Sequence, residues 1–250
     1  MISLNVTYYN DFKLLKWWYS TVKRLESEGY EFILNVGDDG SMKNPAVDFF
    51  EKNQPTKHMH LFRVVNDIGF NSHGTRNLLM RQTTTDWNLM SDIDRNYPDK
   101  TLKTINVCED DLTKGSYYSF YEIKRASPDR FSLNDYLVHH YDFWETGGYD
   151  EEFVNVHWGD RYFLETLKYV AKRNKMECWE VRYVRGARNV SWEDVPFTIY
   201  PDDKTLIHPL GTWGDETFRH GLKKFVRERN KTAEGRKSKQ VLNFEWTQIF

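Results

Sequence analysis

Apolar and polar positions alternate from the start of the chain. Ile2, Leu4 and Val6 fall on one face and Ser3, Asn5 and Thr7 on the other, which predicts a strand over residues 2–7. After Tyr8-Tyr9-Asn10 the period lengthens. Leu14, Leu15, Trp18, Val22 and Leu25 recur at helical spacing, with Asn10 or Asp11 as the cap and Gly29 as the stop, so a helix is predicted to about Glu28. Residues 30–36 read as a second strand breaking into Gly37-Asp38-Asp39-Gly40-Ser41, a turn with two acids. Asn44-Pro45 reads as a cap and first-turn proline opening a short helix to about Lys52. Residues 59–65 form a third strand, the polar, glycine-bearing loop 66–77 runs into a helix to about Gln82, and residues 87–90 form a fourth strand. This β-α-β-α-β-α-β succession within the first 94 residues predicts an α/β fold, a Rossmann-like, mainly parallel central sheet flanked by helices.

The rest of the pattern is less regular. Pro98 opens a helix to about Cys108, and residues 116–124 and 136–144 read as aromatic-rich strands. Glu145-Thr146-Gly147-Gly148-Tyr149-Asp150-Glu151 is a turn. His157-Trp158-Gly159-Asp160 precedes an amphipathic helix carrying Leu164, Leu167 and Val170 and ending near Asn174, and residues 176–184 form a strand. A loop-rich stretch then leads to a helix over about 215–229. With no internal repeat, low-complexity segment or linker, the expectation is one domain over residues 1–250: a nucleotide-type front half (1–97), a substrate-type back half (98–214), and a C-terminal helix with a basic tail (215–250).

Composition narrows the function. Hydrophobic content of 39% and charged content of 29% over 250 residues are globular values. A net charge of -2 argues against a general nucleic-acid binder. Cys108 and Cys178 are the only cysteines, which excludes a disulfide framework and a four-ligand zinc pattern. The amino terminus runs straight into a strand, and no apolar run is long enough to cross a bilayer, so a reducing cytoplasm is expected. Asn189-Val190-Ser191 and Asn230-Lys231-Thr232 match the glycosylation triplet, which matters only on a secretory route.

The fourth strand ends in Ser91-Asp92-Ile93-Asp94. If residues 90–94 stay extended, Asp92 and Asp94 share one face at the carboxyl end of the strand, where open α/β sheets bind ligands. Two carboxylates so close repel unless a cation joins them, and a hard divalent ion bridging to a phosphate relieves that repulsion. The same residues also read as a polar loop. The loops after the first, second and third strands add compatible chemistry: Tyr8 or Tyr9 to stack a base, Asp39 to accept a ring N–H, and Arg76, with Gly74 and Thr75, to hold a diphosphate. Taken singly, each has a plain structural alternative: a turn capped by Asp38, a core Tyr9, a surface Arg76. A P-loop, a Gly-x-Gly-x-x-Gly after the first strand and a serine-hydrolase elbow are all missing.

Ser3-Leu4-Asn5-Val6-Thr7-Tyr8-Tyr9-Asn10, Val36-Gly37-Asp38-Asp39-Gly40-Ser41, Gly74-Thr75-Arg76-Asn77 and Asp92-Ile93-Asp94, in that order and spacing, resemble the landmarks of family-2-type glycosyltransferases with the GT-A fold. Gly147-Gly148-Tyr149-Asp150-Glu151-Glu152-Phe153 and Trp158-Gly159-Asp160 resemble the Gly-Gly-Phe-Asp-Glu and Gly-Glu-Asp signatures of that family's galactosyltransferase-like branch. The resemblance implies nucleoside contacts from Thr7, Tyr9 and Asp39, with Tyr8 beside them, and Arg76 near the diphosphate. It makes Asp94 the main metal ligand and sets Asp92 nearer the ribose or the ion, here Mn2+ or Mg2+. It places Asp160 at the catalytic base and Gly148, Tyr149, Asp150 and Trp158 on the acceptor side. His208 is a candidate third ligand by the same resemblance, although a His after an apolar pair is often structural. The sequence departs from the family at Val6, where proline is common, and at Gly159, where the Glu of Glu-Asp is absent. The acceptor-binding acid is then either missing or supplied by Asp150 or Glu151.

The implied activity is inverting, metal-dependent transfer of a hexose from a nucleotide diphosphate sugar, UDP-linked, to a hydroxyl of a glycan or lipid-linked acceptor. Independently of the resemblance, a carboxylate within hydrogen-bond reach can take the proton of an attacking sugar hydroxyl, although an Asp opening a helix is also a plain cap. Trp144, Tyr149, Trp158 and Trp192 are candidates for an acceptor stacking surface or for core. The tail from Arg219 to Lys239 is basic and reads as a solvated face or as a peripheral contact to anionic lipid. A sugar-phosphate nucleotidyltransferase and a non-catalytic carbohydrate-binding relative are the alternatives. The first wants a Gly-rich basic loop where Tyr8-Tyr9-Asn10-Asp11 stands; the second is kept open by Gly159-Asp160.

Overall fold

The structure, a computed structural model, describes residues 1–123, 131–154, 159–183, 207–208, 211–212 and 224–250. The alternation at the amino terminus does form a strand, β1 (Ile2–Tyr8), but both of its faces are buried. The polar face survives burial because its amides pair across the sheet. Asn5 donates to Asn88 at 3.0 Å and accepts from Asn35 at 2.8 Å, and Asn35 in turn meets the His60 ring at 3.0 Å. Buried polar groups are tolerated when they are hydrogen-bonded in this way.

Helix α1 (Phe12–Ser27) starts at Asp11, whose carboxylate accepts the backbone N–H groups of Lys13 and Leu14, and it closes before Gly29 at φ +87°. Strand β2 (Phe32–Asp38) runs two residues beyond the expected break. Gly37 and Asp38 are not a turn, because they pair with Thr7 and Tyr8 of β1. Helix α2 (Ala46–Lys52) is not capped by Asn44 either. Asp38 reaches over from the end of β2 and accepts from Ala46 N and Ser41 N, each at 2.8 Å. After β3 (Met59–Val64), helix α3 (Ser72–Gln82) takes in Gly74, Thr75, Arg76 and Asn77, residues expected in a loop and at a helix start. Strand β4 (Trp87–Asp92) completes a parallel set in the order β3-β2-β1-β4. The chain moves outward from β1 to β3 and then crosses to the other side of β1. The crevice of such a sheet opens where the order reverses, at the carboxyl ends of β1 and β4.

The second half extends this sheet with β5 (Arg95–Asn96), α4 (Asp99–Val107), β6 (Ser116–Glu122), β7 (Phe131–His139), α5 (His140–Glu145), α6 (Gly159–Leu167) and β8 (Lys172–Tyr183). Two sequence expectations fail here. The strand expected over 136–144 stops at His139, whose ring accepts the Tyr141 N–H at 3.1 Å and so caps α5. The helix expected to reach Asn174 stops at Leu167, because Lys172 onward pairs with β6. The remaining elements are the small β9 (Ile207–His208) and β10 (Gly211–Thr212) pair, a helix α7 over 224–230, α8 (Ala233–Lys237) and β11 (Trp246–Gln248). The nine-stranded sheet has the order β11-β3-β2-β1-β4-β7-β6-β8-β5.

Each face of the sheet carries a core. One holds Leu15, Trp18, Val22 and Leu25 of α1 against Leu4, Val6, Leu34 and Leu89. There the Trp18 indole donates to the Ile93 carbonyl at 3.0 Å, tying α1 to the turn that follows β4. The other packs Met80, Met90, Tyr136, Phe143, Tyr149, Phe163 and Leu167, and it joins α3 to α5 and α6. Complete burial of such side chains is worth about 1.5–3 kcal/mol each. Among the described residues no helix is long and apolar enough to cross a membrane.

Candidate active site

The crevice is built around the end of β4. The expected extended run through Asp94 is interrupted: the strand stops at Asp92, Ile93 and Asp94 form a turn, and β5 follows directly. Asp92 still sits at the centre of the crevice, because Thr7 of β1 pairs with it. One of its oxygens pairs with the Arg76 guanidinium; the other accepts from the Asn134 amide at 2.6 Å.

The Oδ1 atom of Asp94 is buried and accepts no hydrogen bond among the described residues. The nearest cation is Arg95, with Nε at 3.6 Å. Burial foremost, then the charges of Asp92 and Asp135, push the Asp94 carboxyl up to about 7 against the pull of Arg95. Arg95 serves several acids at once. It lies 3.9 Å from Asp92, 3.4 Å from Glu122 and 3.2 Å from Asp135, which also accepts from Ser91, Tyr97 and Ser132. Carboxylates outnumber guanidinium groups at this end of β4, and a divalent cation would correct that imbalance. The acids present therefore fit such an ion through Asp92 and Asp94. Among the described residues no group of three His, Cys, Asp or Glu is arranged to hold a metal, and the His208 side chain lies outside them. A Mg2+- or Mn2+-type site held by one or two carboxylates takes its other ligands from water and substrate phosphate.

Arg76 lies inside α3, not at its start, and is 1% exposed. Its guanidinium joins Asp92 of the front half to Asp160 of α6, and it lies 5.2 Å from the centre of the Tyr149 ring. Burial opposes charge on Arg76, but Asp160 and its other neighbours more than compensate, so it stays protonated. Asp160 shows the converse. Burial would raise its pKa; Arg76, with His73 at 3.7 Å, instead holds it well below the usual carboxylate range. Both contacts fall on Oδ1, and Oδ2 accepts no hydrogen bond among the described residues.

The residues expected to contact a nucleoside are partly used by the fold. Tyr8 is 1% exposed and donates to the Asn44 carbonyl at 2.5 Å, so it is a core residue and not a stacking surface. Tyr9 is half-buried at the mouth, with its hydroxyl on Asp67 at 3.0 Å. Asp39 accepts from Asn71 N at 2.9 Å and from Thr75 Oγ1 at 3.0 Å, and burial pushes its carboxyl up to about 7 in spite of both bonds. A carboxylate has acceptor capacity beyond two bonds, so a ring N–H can still be met.

The residues expected on the acceptor side form a clasp rather than an open surface. Gly147 and Gly148 both have positive φ, +79° and +77°. Tyr149 is fully buried, stacked on Phe163 at 4.1 Å, with its hydroxyl 2.7 Å from that of Tyr136. It forms the floor under Arg76 and offers no face to an acceptor. Asp150 pairs with Arg229; Glu151 accepts from Asn77, Leu242 N and Asn243 N. Neither is free to replace the missing Glu, which corrects that expectation. Several basic tail residues also turn inward: Arg236 donates to the Glu145 and Asn230 carbonyls, and Lys239 to those of Thr146 and Gly148. Trp144 packs beside Phe143, while Trp158 and Trp192 lie outside the described residues.

Asn134, Arg95, His73 and Asn77 were missed as site residues. Arg95 follows Asp94 directly and was legible as a cation beside two acids. Asn134 carried no sequence signal, because β4 and β7 bring it to Asp92 only through antiparallel pairing, last registered at Met90 and Tyr136.

No protein-family model matches the chain, and no curated protein sequence does. Solved structures do match. S. aureus TarS superposes with a TM-score of 0.59 at 15% identity, over 73% of this chain and 36% of that one. TarS 1-349 in complex with UDP-GlcNAc gives 0.58 at 14%, over 74% and 58%. The mannosyltransferase PcManGT from Pyrobaculum calidifontis, in complex with GDP-Man and Mn2+, gives 0.57 at 14%, over 75% and 57%. The chain thus spans less than two thirds of the length of each. The likeness shows the fold, an α/β arrangement of the GT-A type.

Proposed function

We propose that this GT-A chain is a glycosyltransferase that moves a hexose from a nucleotide diphosphate sugar to an acceptor hydroxyl, with inversion and with a divalent metal. The observation that carries the reading is the line Asp92–Arg76–Asp160 across the crevice, which sets an acid suited to the donor's ion against an acid suited to the acceptor. TarS structures with UDP and with UDP-GlcNAc, and the mannosyltransferase with GDP-Man, support a nucleotide-sugar donor, and we favour UDP. The acceptor is proposed as a glycan or lipid-linked hydroxyl, on the resemblance of the Gly147–Phe153 stretch alone.

In the proposed step the acceptor oxygen bonds to the anomeric carbon as the bond from that carbon to the diphosphate oxygen breaks. The electron pair leaves with the diphosphate, and the hydroxyl proton passes to Oδ2 of Asp160. Arg76 orients Asp160 and keeps it ionised, and Tyr149 and Phe163 exclude water beneath them. A cation held by Asp92 and Asp94 would neutralise the departing diphosphate. The test is acceptor-free release of nucleotide from UDP-glucose, UDP-galactose, UDP-GlcNAc and GDP-mannose, with and without Mn2+. Metal-dependent release from a UDP sugar is expected; release from none of the four under either condition would overturn the assignment.

A further inference from the structure

His73 enters the crevice from the first turn of α3, and the reaction above gives it no task. Its ring is 1% exposed, and among the described residues neither nitrogen has a hydrogen-bond partner. A buried imidazole left so costs free energy unless it serves a neighbour. The neighbour is Asp160, whose Oδ1 lies 3.7 Å from Nε2. Aromatic rings hold the imidazole in place: Tyr149 at 5.4 Å and tilted by 36°, Phe153 at 6.3 Å, and Phe70 edge-on at 6.1 Å.

The approach depends on residue 159. A Cβ on Gly159 would lie 2.6 Å from Cε1 of His73 and closer still to Nε2. The backbone of Gly159 is not left-handed, so conformation does not call for glycine there; space does. The sequence departs from the family it resembles at this position, with no side chain before the acid. His73 occupies the room such a side chain would need.

We propose that His73 is a positioning residue for Asp160, holding the carboxylate by Oδ1 together with Arg76 so that Oδ2 faces the acceptor hydroxyl, and that residue 159 is glycine to admit the imidazole. The inference rests on the glycosyl-transfer reading of Asp160. A carboxylate gripped from one side still turns about its Cβ–Cγ bond, and a second contact on the same oxygen restrains it. Small losses of alignment at a reacting group cost rate much more than affinity.

The experiment uses the full chain in four forms: wild type, His73→Phe, His73→Gln and Gly159→Ala. Turnover is followed on whichever of the four nucleotide sugars above is hydrolysed fastest with Mn2+. His73→Phe keeps the ring's bulk and should lose roughly 10- to 100-fold in kcat with an unchanged donor KM. His73→Gln, whose amide N–H reaches towards the same oxygen, should recover most of that loss. Gly159→Ala should resemble His73→Phe although alanine is the better helix former. Normal kcat in His73→Phe, or a Gln variant that is folded but no better than Phe, would overturn the proposal. Nitrogen-15 spectra of the His73 ring give a readout independent of turnover. A proton on Nε2 and a ring signal that moves in Asp160→Asn are expected, and a ring indifferent to Asp160→Asn refutes the contact. A wild type that hydrolyses none of the sugars removes the glycosyl-transfer reading, while the ring spectrum still decides the contact.

Discussion

Asn77 of α3 and Tyr149 of the double-glycine turn hold each other twice. The Asn77 amide donates to the Tyr149 carbonyl at 3.0 Å, and its oxygen accepts the Tyr149 N–H at 2.7 Å. The same amide also donates to Glu151, whose carboxylate accepts from Leu242 and Asn243. One buried side chain therefore links the Arg76 helix, the double-glycine turn and the returning tail. Asn77→Ala leaves those buried partners unmatched and should destabilise the protein by about 2–3 kcal/mol. Urea unfolding measures it; an unchanged midpoint would show that the link carries no stability.

The metal reading stands on Asp94, whose buried oxygen lacks a hydrogen-bond donor among the described residues. In Asp94→Ala the tightening of UDP binding by Mn2+ should shrink by about tenfold or more, a change of about 1.4 kcal/mol or more. Calorimetry with UDP, with and without Mn2+, reads this directly. Equal enhancement by Mn2+ in variant and wild type would rule Asp94 out as a ligand.

Asp160→Asn keeps the shape of the side chain and leaves Arg76 its partner Asp92. UDP affinity should hold within about twofold, while turnover should fall by about 10²- to 10⁴-fold, the usual contribution of a general base. Unchanged turnover would remove Asp160 from that role.

Asp39 makes a prediction about pH. Burial lifts its carboxyl to about 7 in the folded chain, above the value of about 3.9 expected when unfolded. Between those values the folded state binds the extra proton, so this group's contribution to stability is complete below about pH 4 and is lost as pH rises through about 7. Asp39→Asn can still accept from Asn71 N and can donate to Thr75 Oγ1. Its unfolding free energy should fall less steeply than that of wild type between pH 4 and 7. Parallel pH curves for the two proteins would contradict the shift.

The front half was legible because local signals and tertiary structure agree there. The alternation at Ile2, Leu4 and Val6, the Asp11 cap and the Gly29 stop all appear where the sequence places them. The errors share a cause, which is that a distant residue decides a local structure. Asp38 caps α2 from the end of β2, so Asn44 is not needed, and pairing with β6 fixes where β8 begins after α6. In the site, Arg76, Asp92 and Asp160 were legible one by one. Their pairing with one another was not, because it arises when α3, β4 and α6 meet. Tyr8 and Tyr149 looked like ligand surfaces because aromatic rings suit both ligands and cores, and only burial separates the two uses.

The sheet ends in unusually small strands on both rims: β11 with three residues on one side and β5 with two on the other. A long bare margin of N–H and C=O groups is what recruits a second chain into a shared ribbon. Here β11 covers Phe62, Arg63 and Val64 of β3, and on the far rim β5 covers only Arg182 and Tyr183 of β8. The end of the chain, laid antiparallel along β3, thus occupies hydrogen-bonding groups on that rim that a second chain would otherwise be offered.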